Sequence, residues 1–235
     1  MNIILCTTPL RDSQGSGPPF GSLALMQAMR SAGYDPYFYD IDGWRPPFDE
    51  VVKFIQEKSP DVLAISAVVS TAYAYTKMLS LAVKRVSPQT KIVLGGNLAA
   101  SAELLLRFCK VDVCGIGEGE WVLVNLLRYW EEHPGENDYS ELHKIKGLTY
   151  LDPSGEMEFT GYEAAIPAAD FTDPDYSILE QYCTFENFLP DPLRMYNFSQ
   201  DVRSYEPHRR GKRLGVINTA KGCVAKCTFC HRWDR

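Results

Sequence analysis

Three cysteines near the end of the chain have a spacing that suits an iron–sulfur cluster. Cys223, Cys227 and Cys230 fall within eight residues, in the pattern C-x-x-x-C-x-x-C. Cysteine thiolates bind the irons of a cubic [4Fe–4S] cluster, and a cluster held by protein alone normally has four of them. Three thiolates leave the fourth iron open to a substrate or cofactor. The spacing therefore predicts a cluster with one exchangeable iron.

Two other interpretations of these cysteines are weaker. Zinc also binds clustered cysteines, as a tetrahedron of four ligands, and His231, directly after Cys230, could supply the fourth. Zinc sites usually take two ligands from each of two turns, however, and the sequence contains no second C-x-x-C and no H-x-x-x-H. Single cysteines often only pack in a core. Three at this spacing, after Gly222 and beside lysines, favour the metal cluster.

The aromatic Phe229 just before the third cysteine, and a short apolar strand predicted at 214–217, complete a familiar pattern. It resembles the radical S-adenosylmethionine (SAM) enzymes, in which the open iron chelates the amino and carboxylate groups of SAM. The resemblance implies that the three cysteines are the metal ligands and that Phe229 packs near the SAM adenine. It also implies an electron donor such as flavodoxin or ferredoxin. Lys221 and Val224 stand where family members often carry Arg and Pro, a departure that does not touch the ligands.

The composition is that of an ordinary globular protein. Of the 235 residues, 45% are hydrophobic and 23% are charged, which are usual proportions, and no apolar run reaches 18 residues. The N-terminus reads as a strand rather than a signal peptide. Seven cysteines, unevenly placed, suit a reducing compartment better than a disulfide framework. We therefore expect a cytoplasmic protein without a membrane span. The net charge of −6 predicts no nucleic-acid partner.

The rest of the chain must position these cysteines, and most of it alternates between strands and helices. Apolar runs predict strands at residues 2–6, 37–41, 61–67, 91–94 and 111–114. Periodicity predicts helices at about 21–31, 48–58, 99–108 and 121–131, and another from the N-cap candidates Ser70 and Thr71 to about Val86. The strand at 61–67 is apolar on both faces, as in a parallel sheet. Five alternations predict an α/β fold with a doubly wound, flavodoxin- or Rossmann-like, mostly parallel sheet.

The pattern changes after the fifth helix. Apolar residues at 147–151 and 157–160, around an Asp-Pro-Ser-Gly turn, predict a hairpin. We expect a first domain at 1–165, a linker at 166–210 with one short helix near 176–182, and the first strand and cysteine loop of a radical-SAM partial barrel at 211–235. Such a barrel needs roughly two hundred residues. The sequence is therefore expected to be a fragment of a longer enzyme and inactive alone.

In a doubly wound sheet the ligand crevice lies outside the carboxyl ends of the strands, where strand order reverses. The loops expected there are 7–20, 67–71, 95–98 and 115–120. Their glycines and helix N-termini suit a flat or phosphate-bearing ligand, although the glycines are equally consistent with ordinary tight turns. The glycines at 15, 17 and 21 lack the spacing G-x-G-x-x-G, which disfavours a dinucleotide site. The first strand ends in Thr7-Thr8 rather than in acids, which disfavours a receiver domain.

The loops as a set resemble the cobalamin-binding domains that precede radical-SAM barrels. The matching stretches are Pro-Pro-Phe-Gly at 18–21, residues 66–75, Gly-Gly-Asn at 95–97 and Gly-Ile-Gly-Glu-Gly-Glu at 115–120. The resemblance implies that the corrin lies over the strand ends, with its nucleotide tail between the loops after strands one and three. The residues implied to contact cobalamin are Ser66, Ser70, Thr71, Gly95, Gly96, Gly117 and Glu118.

Family members that bind cobalt through histidine carry D-x-H-x-x-G in the first loop, and residues 7–20 contain no histidine. We therefore expect base-off cobalamin without a histidine ligand. The resulting hypothesis is a cobalamin-dependent radical-SAM enzyme that cleaves SAM reductively to a 5′-deoxyadenosyl radical, in the commonest version for methyl transfer to an unactivated substrate position. The alternatives are a stand-alone cobalamin-binding or carrier module whose cysteine tail is non-catalytic or binds zinc, and a domain that only docks a partner.

Overall fold

The computed structural model describes residues 1–10, 17–134, 141–183, 185–188, 208, 212 and 215–217. The strands in these residues are β1 (Ile3–Thr7), β2 (Tyr37–Tyr39), β3 (Val62–Ser66), β4 (Lys91–Gly95), β5 (Val113–Gly115), β6 (Leu148–Leu151) and β7 (Met157–Phe159). The α-helices are α1 (Phe20–Ser31), α2 (Ile41–Trp44), α3 (Phe48–Lys58), α4 (Ala72–Val86), α5 (Ala102–Phe108), α6 (Gly119–Glu132) and α7 (Ser177–Tyr182). Short 3-10 helices are Asn97–Ser101, Leu142–Lys144, Ala168–Asp170 and Phe185–Phe188.

The strands form one sheet in the order β2-β1-β3-β4-β5-β6-β7. Strands β1 to β5 are parallel, whereas β6 and β7 are antiparallel to their neighbours. The chain moves outward from β1 to β2 and then returns past β1 to β3, so the strand order reverses between β1 and β3. This confirms the predicted α/β fold with a doubly wound, mostly parallel sheet.

The central strands are apolar along their length because helices cover both faces of the sheet. Successive side chains of a strand point to opposite faces, so Ile3 and Leu5 of β1 pack in one core with α1, α6 and α7. Ile4 and Cys6 of the same strand pack in a second core with α3, α4 and α5. Each central strand therefore serves both cores, which explains the continuous apolar runs in the sequence.

Several element boundaries differ from the prediction by one or more residues. The second strand was expected to reach Ile41, but β2 ends at Tyr39 and Ile41 begins α2, because the chain turns at Asp40, whose carboxylate accepts a hydrogen bond from Thr7. The helix expected at 99–108 begins with the 3-10 helix Asn97–Ser101. The fifth strand begins at Val113 rather than at residue 111.

The predicted hairpin is confirmed and extends the sheet beyond β5. β6 pairs with β5 and β7 pairs with β6, both antiparallel. Gly147 precedes β6 with φ +81°, and a Cβ there would lie 2.5 Å from Val122 Cγ2 and 3.0 Å from the Ile116 carbonyl oxygen. Only glycine fits this approach. The Ile116 N–H donates to the Gly147 carbonyl at 2.7 Å, which joins the hairpin to the loop after β5.

The segment after residue 165 packs against the domain. The short helix expected near 176–182 is present as α7, and its Ile178 and Leu179 are buried in the core that contains α1. Trp44 Nε1 donates to the Tyr182 carbonyl at 3.1 Å, and the Tyr182 ring meets Tyr37 of β2 edge-on at 4.8 Å. α7 therefore covers the β2 edge of the sheet. The domain limits at 165 and 210 stay predictions.

The strand predicted at 214–217 is not formed at residues 215–217, where Ile217 is 79% exposed. A strand forms only beside a partner strand, and the described part of the chain places none next to these residues. Among the described residues, no helix has the length and hydropathy required to cross a bilayer.

Candidate functional site

The carboxyl ends of β1, β3 and β4 lie in register with one another. Thr7 of β1 lies opposite Ser66 of β3, and Ser66 lies opposite Gly95 of β4. The loops that leave these three residues therefore start side by side at the same edge of the sheet. The reversal of strand order between β1 and β3 opens a crevice at this edge.

The loops after β3 and β4 are locked together. The Ala67 N–H donates to the Gly95 carbonyl at 3.0 Å, and the Leu98 N–H donates to the Ala67 carbonyl at 3.1 Å. Gly96 has φ +87°, and a Cβ there would lie 2.4 Å from the Ala67 carbonyl oxygen. The close approach of these two loops therefore requires glycine at position 96.

The surface beside these hydrogen-bonded loops is open at Gly95. A Cβ at Gly95 would meet no atom within 4 Å, so the backbone there is bare on its open side. The adjacent loop, after β3, exposes two branched apolar side chains, Val68 at 43% and Val69 at 38%. The exposed residues Ser70 and Thr71 follow them. The edge thus offers bare backbone, hydroxyl groups and apolar surface to a ligand.

Thr71 was expected to cap α4, but its hydroxyl forms no capping hydrogen bond. Thr71 Oγ1 donates instead to the Leu10 carbonyl at 3.1 Å. The loop after β3 is therefore tied to the loop after β1, across the point where strand order reverses. Thr8 makes a second, longer contact between the same loops, from its Oγ1 to the Ser66 carbonyl at 3.4 Å.

A buried carboxyl group lies under the first loop. Asp40, between β2 and α2, is buried, and its Oδ1 accepts a hydrogen bond from Thr7 Oγ1 at 2.7 Å. Cys183, just after α7, places its Sγ 3.7 Å from Asp40 Oδ2. Burial raises the pKa of Asp40 above its ordinary value, and the hydrogen bond from Thr7 offsets only part of this effect.

The loop after β5 contributes Gly117 and Glu118. Gly117 has φ +106°, and Glu118 directly precedes α6. Glu118 Oε2 accepts a hydrogen bond from the Ile166 N–H at 3.0 Å, so this carboxylate holds the chain segment that follows the hairpin. Gly119, at the first position of α6, leaves room for Leu25 of α1, whose Cδ2 would lie 3.0 Å from a Cβ there.

The structure thus brings most of the predicted binding residues to one edge. Ser66, Ser70, Thr71, Gly95 and Gly96 belong to the adjacent ends of β3 and β4 and their loops, and Gly117 and Glu118 follow the neighbouring strand β5. The predicted cluster ligands Cys223, Cys227 and Cys230, together with Phe229, lie outside the described residues.

Four residues at this edge were not singled out as site residues from the sequence: Asp40, Asp42, Val68 and Val69. The two aspartates were readable as an acid pair in Asp-Ile-Asp-Gly directly after the second strand. The two valines were readable as an apolar pair in a loop that otherwise carries hydroxyl groups. Neither signal was used: Asp40 was counted with the strand expected at 37–41, Asp42 fell between that strand and the next predicted helix, and the valines were read only as part of the stretch 66–75.

The four described cysteines outside the motif are Cys6, Cys109, Cys114 and Cys183, and all are free thiols. Burial raises the pKa of the Cys6 thiol to about 12 and also raises the pKa of Cys114 well above its ordinary value. Because the thiolate is the reactive form and the metal ligand, these core thiols are poor candidates for either role.

The edge fits a corrin, a broad ring with apolar faces and carboxamide side chains. The bare backbone at Gly95 and the exposed valines match the ring, and the hydroxyls of Ser70 and Thr71 match the carboxamides.

His133 lies at the far end of α6 from this edge, stacked on Tyr129 at 4.4 Å with Nδ1 2.9 Å from the Tyr129 carbonyl oxygen.

Residues 7–127 match the family model of the B12 binding domain. The anaerobic magnesium-protoporphyrin IX monomethyl ester cyclase of Cereibacter sphaeroides is 30% identical over 222 residues, which are 93% of this chain and 32% of the cyclase. The cytidylyl-2-hydroxyethylphosphonate methyltransferase of Streptomyces wedmorensis is 26% identical over 201 residues, 80% of this chain and 36% of that enzyme. The chain spans about a third of the length of these curated relatives.

Solved structures share the fold. The cobalamin-dependent S-adenosylmethionine radical enzyme OxsB, solved with aqua-cobalamin and S-adenosylmethionine bound, has a TM-score of 0.58 at 16% identity, over 70% of this chain and 22% of OxsB. The radical S-adenosylmethionine methyltransferase TsrM from Kitasatospora setae, solved with cobalamin and a [4Fe-4S] cluster bound, has a TM-score of 0.55 at 18% identity, over 74% of this chain and 31% of TsrM.

The family match carries more weight than these likenesses, which concern the fold alone. It covers just over half of the chain and includes every strand-end loop described above, from Thr7 to the start of α6. The chain belongs to the B12-binding domain family.

Proposed function

We propose that this chain forms the cobalamin-binding part of a cobalamin-dependent radical-SAM enzyme. The observation that carries the proposal is the B12-binding-domain match at 7–127, on a sheet whose candidate residues meet at one carboxyl edge. The cysteine motif at 223–230 supports the radical-SAM half, because three thiolates leave one iron of a cubic cluster open.

The loops have distinct tasks in this proposal. The bare backbone at Gly95 admits the ring, and Gly96 keeps the loops after β3 and β4 close enough to leave that space open. Val68 and Val69 cover apolar ring surface, whose removal from water stabilises the complex. Ser66, Ser70 and Thr71 bind carboxamides and the nucleotide tail, and the backbone of residues 117–118 closes the β5 side. With no histidine in the first loop, cobalamin is bound base-off.

The cysteine motif has a separate task. Cys223, Cys227 and Cys230 hold three irons of a [4Fe–4S] cluster, and Phe229 packs near the SAM adenine. When bound, the cofactors supply the chemistry: SAM is cleaved reductively to a 5′-deoxyadenosyl radical, with an electron from a donor such as flavodoxin or ferredoxin, and cobalamin carries a methyl group. Two curated relatives are methyltransferases by name, which favours methyl transfer.

The corrin half is tested by absorbance. The purified chain is incubated with hydroxocobalamin, desalted and examined by UV–visible spectroscopy. We expect about one corrin per chain, with a base-off spectrum and a Co(II) EPR signal that shows no nitrogen coupling from an imidazole. A desalted chain without corrin would overturn this half of the proposal. A nitrogen-coupled Co(II) signal would overturn the base-off assignment alone.

The cluster half is tested by counting metals after anaerobic reconstitution. The intact chain is expected to hold about four irons, and Cys223→Ala to hold far fewer. Cys183→Ser is the matched control, because Cys183 lies beside Asp40 in the domain and outside the motif. Zinc in place of iron would favour the stand-alone cobalamin module. Fewer than about three irons in the intact chain, without zinc, would remove the cluster from the proposal.

A further inference from the structure

The turn after β2 holds the loop after β1 at two points. Thr7 Oγ1 accepts a hydrogen bond from the Asp42 N–H at 3.0 Å. Three residues further on, the Leu10 N–H donates to Asp42 Oδ1 at 2.9 Å. One residue in α2 therefore fixes both the last residue of β1 and the loop that leaves it.

Asp42 is buried, and its charge is compensated by Arg45. Only 8% of the residue is exposed, and Arg45 Nη2 lies 2.5 Å from its Oδ1, so a positive charge compensates a carboxylate that is largely out of water. Arg45 Nε also donates to the Asp42 carbonyl at 2.8 Å. Gly43, between them, leaves room for the neighbouring carboxylate, because a Cβ there would lie 2.1 Å from Asp40 Oδ2.

Leu10 in turn contacts Thr71, a candidate cobalamin-binding residue. The Leu10 carbonyl accepts the hydroxyl hydrogen of Thr71 at 3.1 Å. A threonine hydroxyl has one hydrogen to donate and two lone pairs, so a Thr71 hydroxyl oriented in this way offers only lone pairs to a ligand. The ligand group that meets it must then be a donor. The carboxamide N–H₂ groups of a corrin are such donors.

We propose that Asp42 is a positioning residue for cobalamin. It holds Leu10 in place, and the Leu10 carbonyl turns the Thr71 hydroxyl so that its oxygen accepts a hydrogen bond from a corrin carboxamide. Asp42 acts without touching the ligand in this proposal, since the residue is only 8% exposed and its Oδ1 accepts hydrogen bonds from both Leu10 and Arg45. This inference rests on the proposed function, and it adds the donor and acceptor roles at one contact.

A double-mutant cycle tests the inference. The affinity of the 235-residue chain for hydroxocobalamin is measured by absorbance titration for the wild type, Asp42→Ala, Thr71→Val and the double variant. Each single change is expected to weaken binding about five- to tenfold, the effect of one hydrogen bond. Because both changes remove the same contact, the double variant is expected to bind no more than about twofold more weakly than either single variant. Independent losses that multiply in the double variant would overturn the proposal.

Two conservative variants sharpen the cycle. Asp42→Asn keeps an oxygen that accepts from Leu10, and Thr71→Ser keeps the hydroxyl, so both are expected to stay within about threefold of wild-type affinity. The comparison of Thr71→Val with Thr71→Ser needs no change at Asp42 and stands even where Asp42→Ala does not fold. Equal affinities for those two variants would overturn the proposal.

The outcome also separates this inference from the proposed function. If the wild-type chain retains no corrin, both the proposed function and the positioning role of Asp42 are overturned. If it binds corrin but the losses of affinity in Asp42→Ala and Thr71→Val are additive, only the positioning role is overturned. Amide hydrogen exchange in the ligand-free chain gives an independent readout: the Leu10 N–H is expected to exchange faster in Asp42→Ala than in Asp42→Asn, and equal rates would contradict the restraint.

Discussion

Two adjacent glycines at the end of β4 should respond in opposite ways to the same added methyl group. In Gly96→Ala the new Cβ would lie 2.4 Å from the Ala67 carbonyl oxygen, on a backbone with φ +87°. In Gly95→Ala the new Cβ would meet no protein atom within 4 Å. We expect the first variant to lose stability, and the second to keep its stability and lose affinity for cobalamin.

The magnitudes follow from these environments. A side chain forced into a backbone conformation that only glycine adopts readily costs about 1–3 kcal/mol, and the overlap with Ala67 adds to this by displacing the acceptor of the Leu98 N–H. For a chain of this size the midpoint of thermal unfolding should fall by about 2–12 °C. Gly95→Ala should change the free energy of unfolding by less than about 1 kcal/mol. Its methyl group, placed in the ligand space, should weaken corrin binding about fivefold to a hundredfold.

The assay compares the two alanine variants with the wild type. Urea unfolding gives the free energy of unfolding, and titration with hydroxocobalamin gives the affinity. The variants are matched controls for each other, because they differ by one position and add the same group. Wild-type affinity in a folded Gly95→Ala chain would refute the placement of the ligand beside β4. Wild-type stability in Gly96→Ala would refute the close approach of the loops after β3 and β4.

Three further outcomes are expected. Ile178→Ala should lower the free energy of unfolding by about 2–5 kcal/mol, because Ile178 is fully buried; urea unfolding checks this, and a change below about 0.5 kcal/mol would contradict the packing of α7. In the folded chain, iodoacetamide should modify Cys6 and Cys114 far more slowly than in urea, because burial raises the pKa of both thiols; peptide mass spectrometry measures the rates, and equal rates would contradict their burial. Burial also raises the pKa of Asp40 in the folded state above its unfolded value near 3.8. The free energy of unfolding of the wild type, relative to that of Asp40→Asn, should therefore fall as pH rises from about 4 through the folded pKa and then level off. Urea unfolding across this pH range checks the sign, and a relative rise would contradict it.

The sequence predicts the sheet well because its central strands are buried on both faces. The runs at 61–67 and 91–94 show no alternation, which is the mark of a parallel strand covered by helices. The hairpin was equally readable, because its turn residues lie between two short apolar segments. The second strand was read too long at Ile41, since apolar character alone does not show that Asp40 turns the chain under a hydrogen bond from Thr7.

The candidate site was predicted less completely, for a different physical reason. Glycines and hydroxyls at strand ends are local signals, and they predicted loops that the structure brings to one edge of the sheet. The role of Asp42 depends on its distances to Leu10 and Thr7, residues more than thirty positions away. Thr71 was read as a helix cap from its type and position, but its hydroxyl meets the Leu10 carbonyl, which only the fold brings near. Contacts between loops are not encoded in any short stretch of sequence.

The docking of α7 has a consequence for the order in which the chain folds. Gln27 Nε2 donates to the Asp173 carbonyl, 146 residues away, and Trp44 contacts Tyr182 across 138 residues. During synthesis, α1 and β2 leave the ribosome long before α7 does, so the apolar surface that Ile178 and Leu179 cover is open to solvent in the nascent chain. Contacts so distant in sequence form late. We therefore expect α7 to close the core last, and a stalled nascent chain to be most prone to aggregation in the interval before Tyr182, the end of α7, emerges.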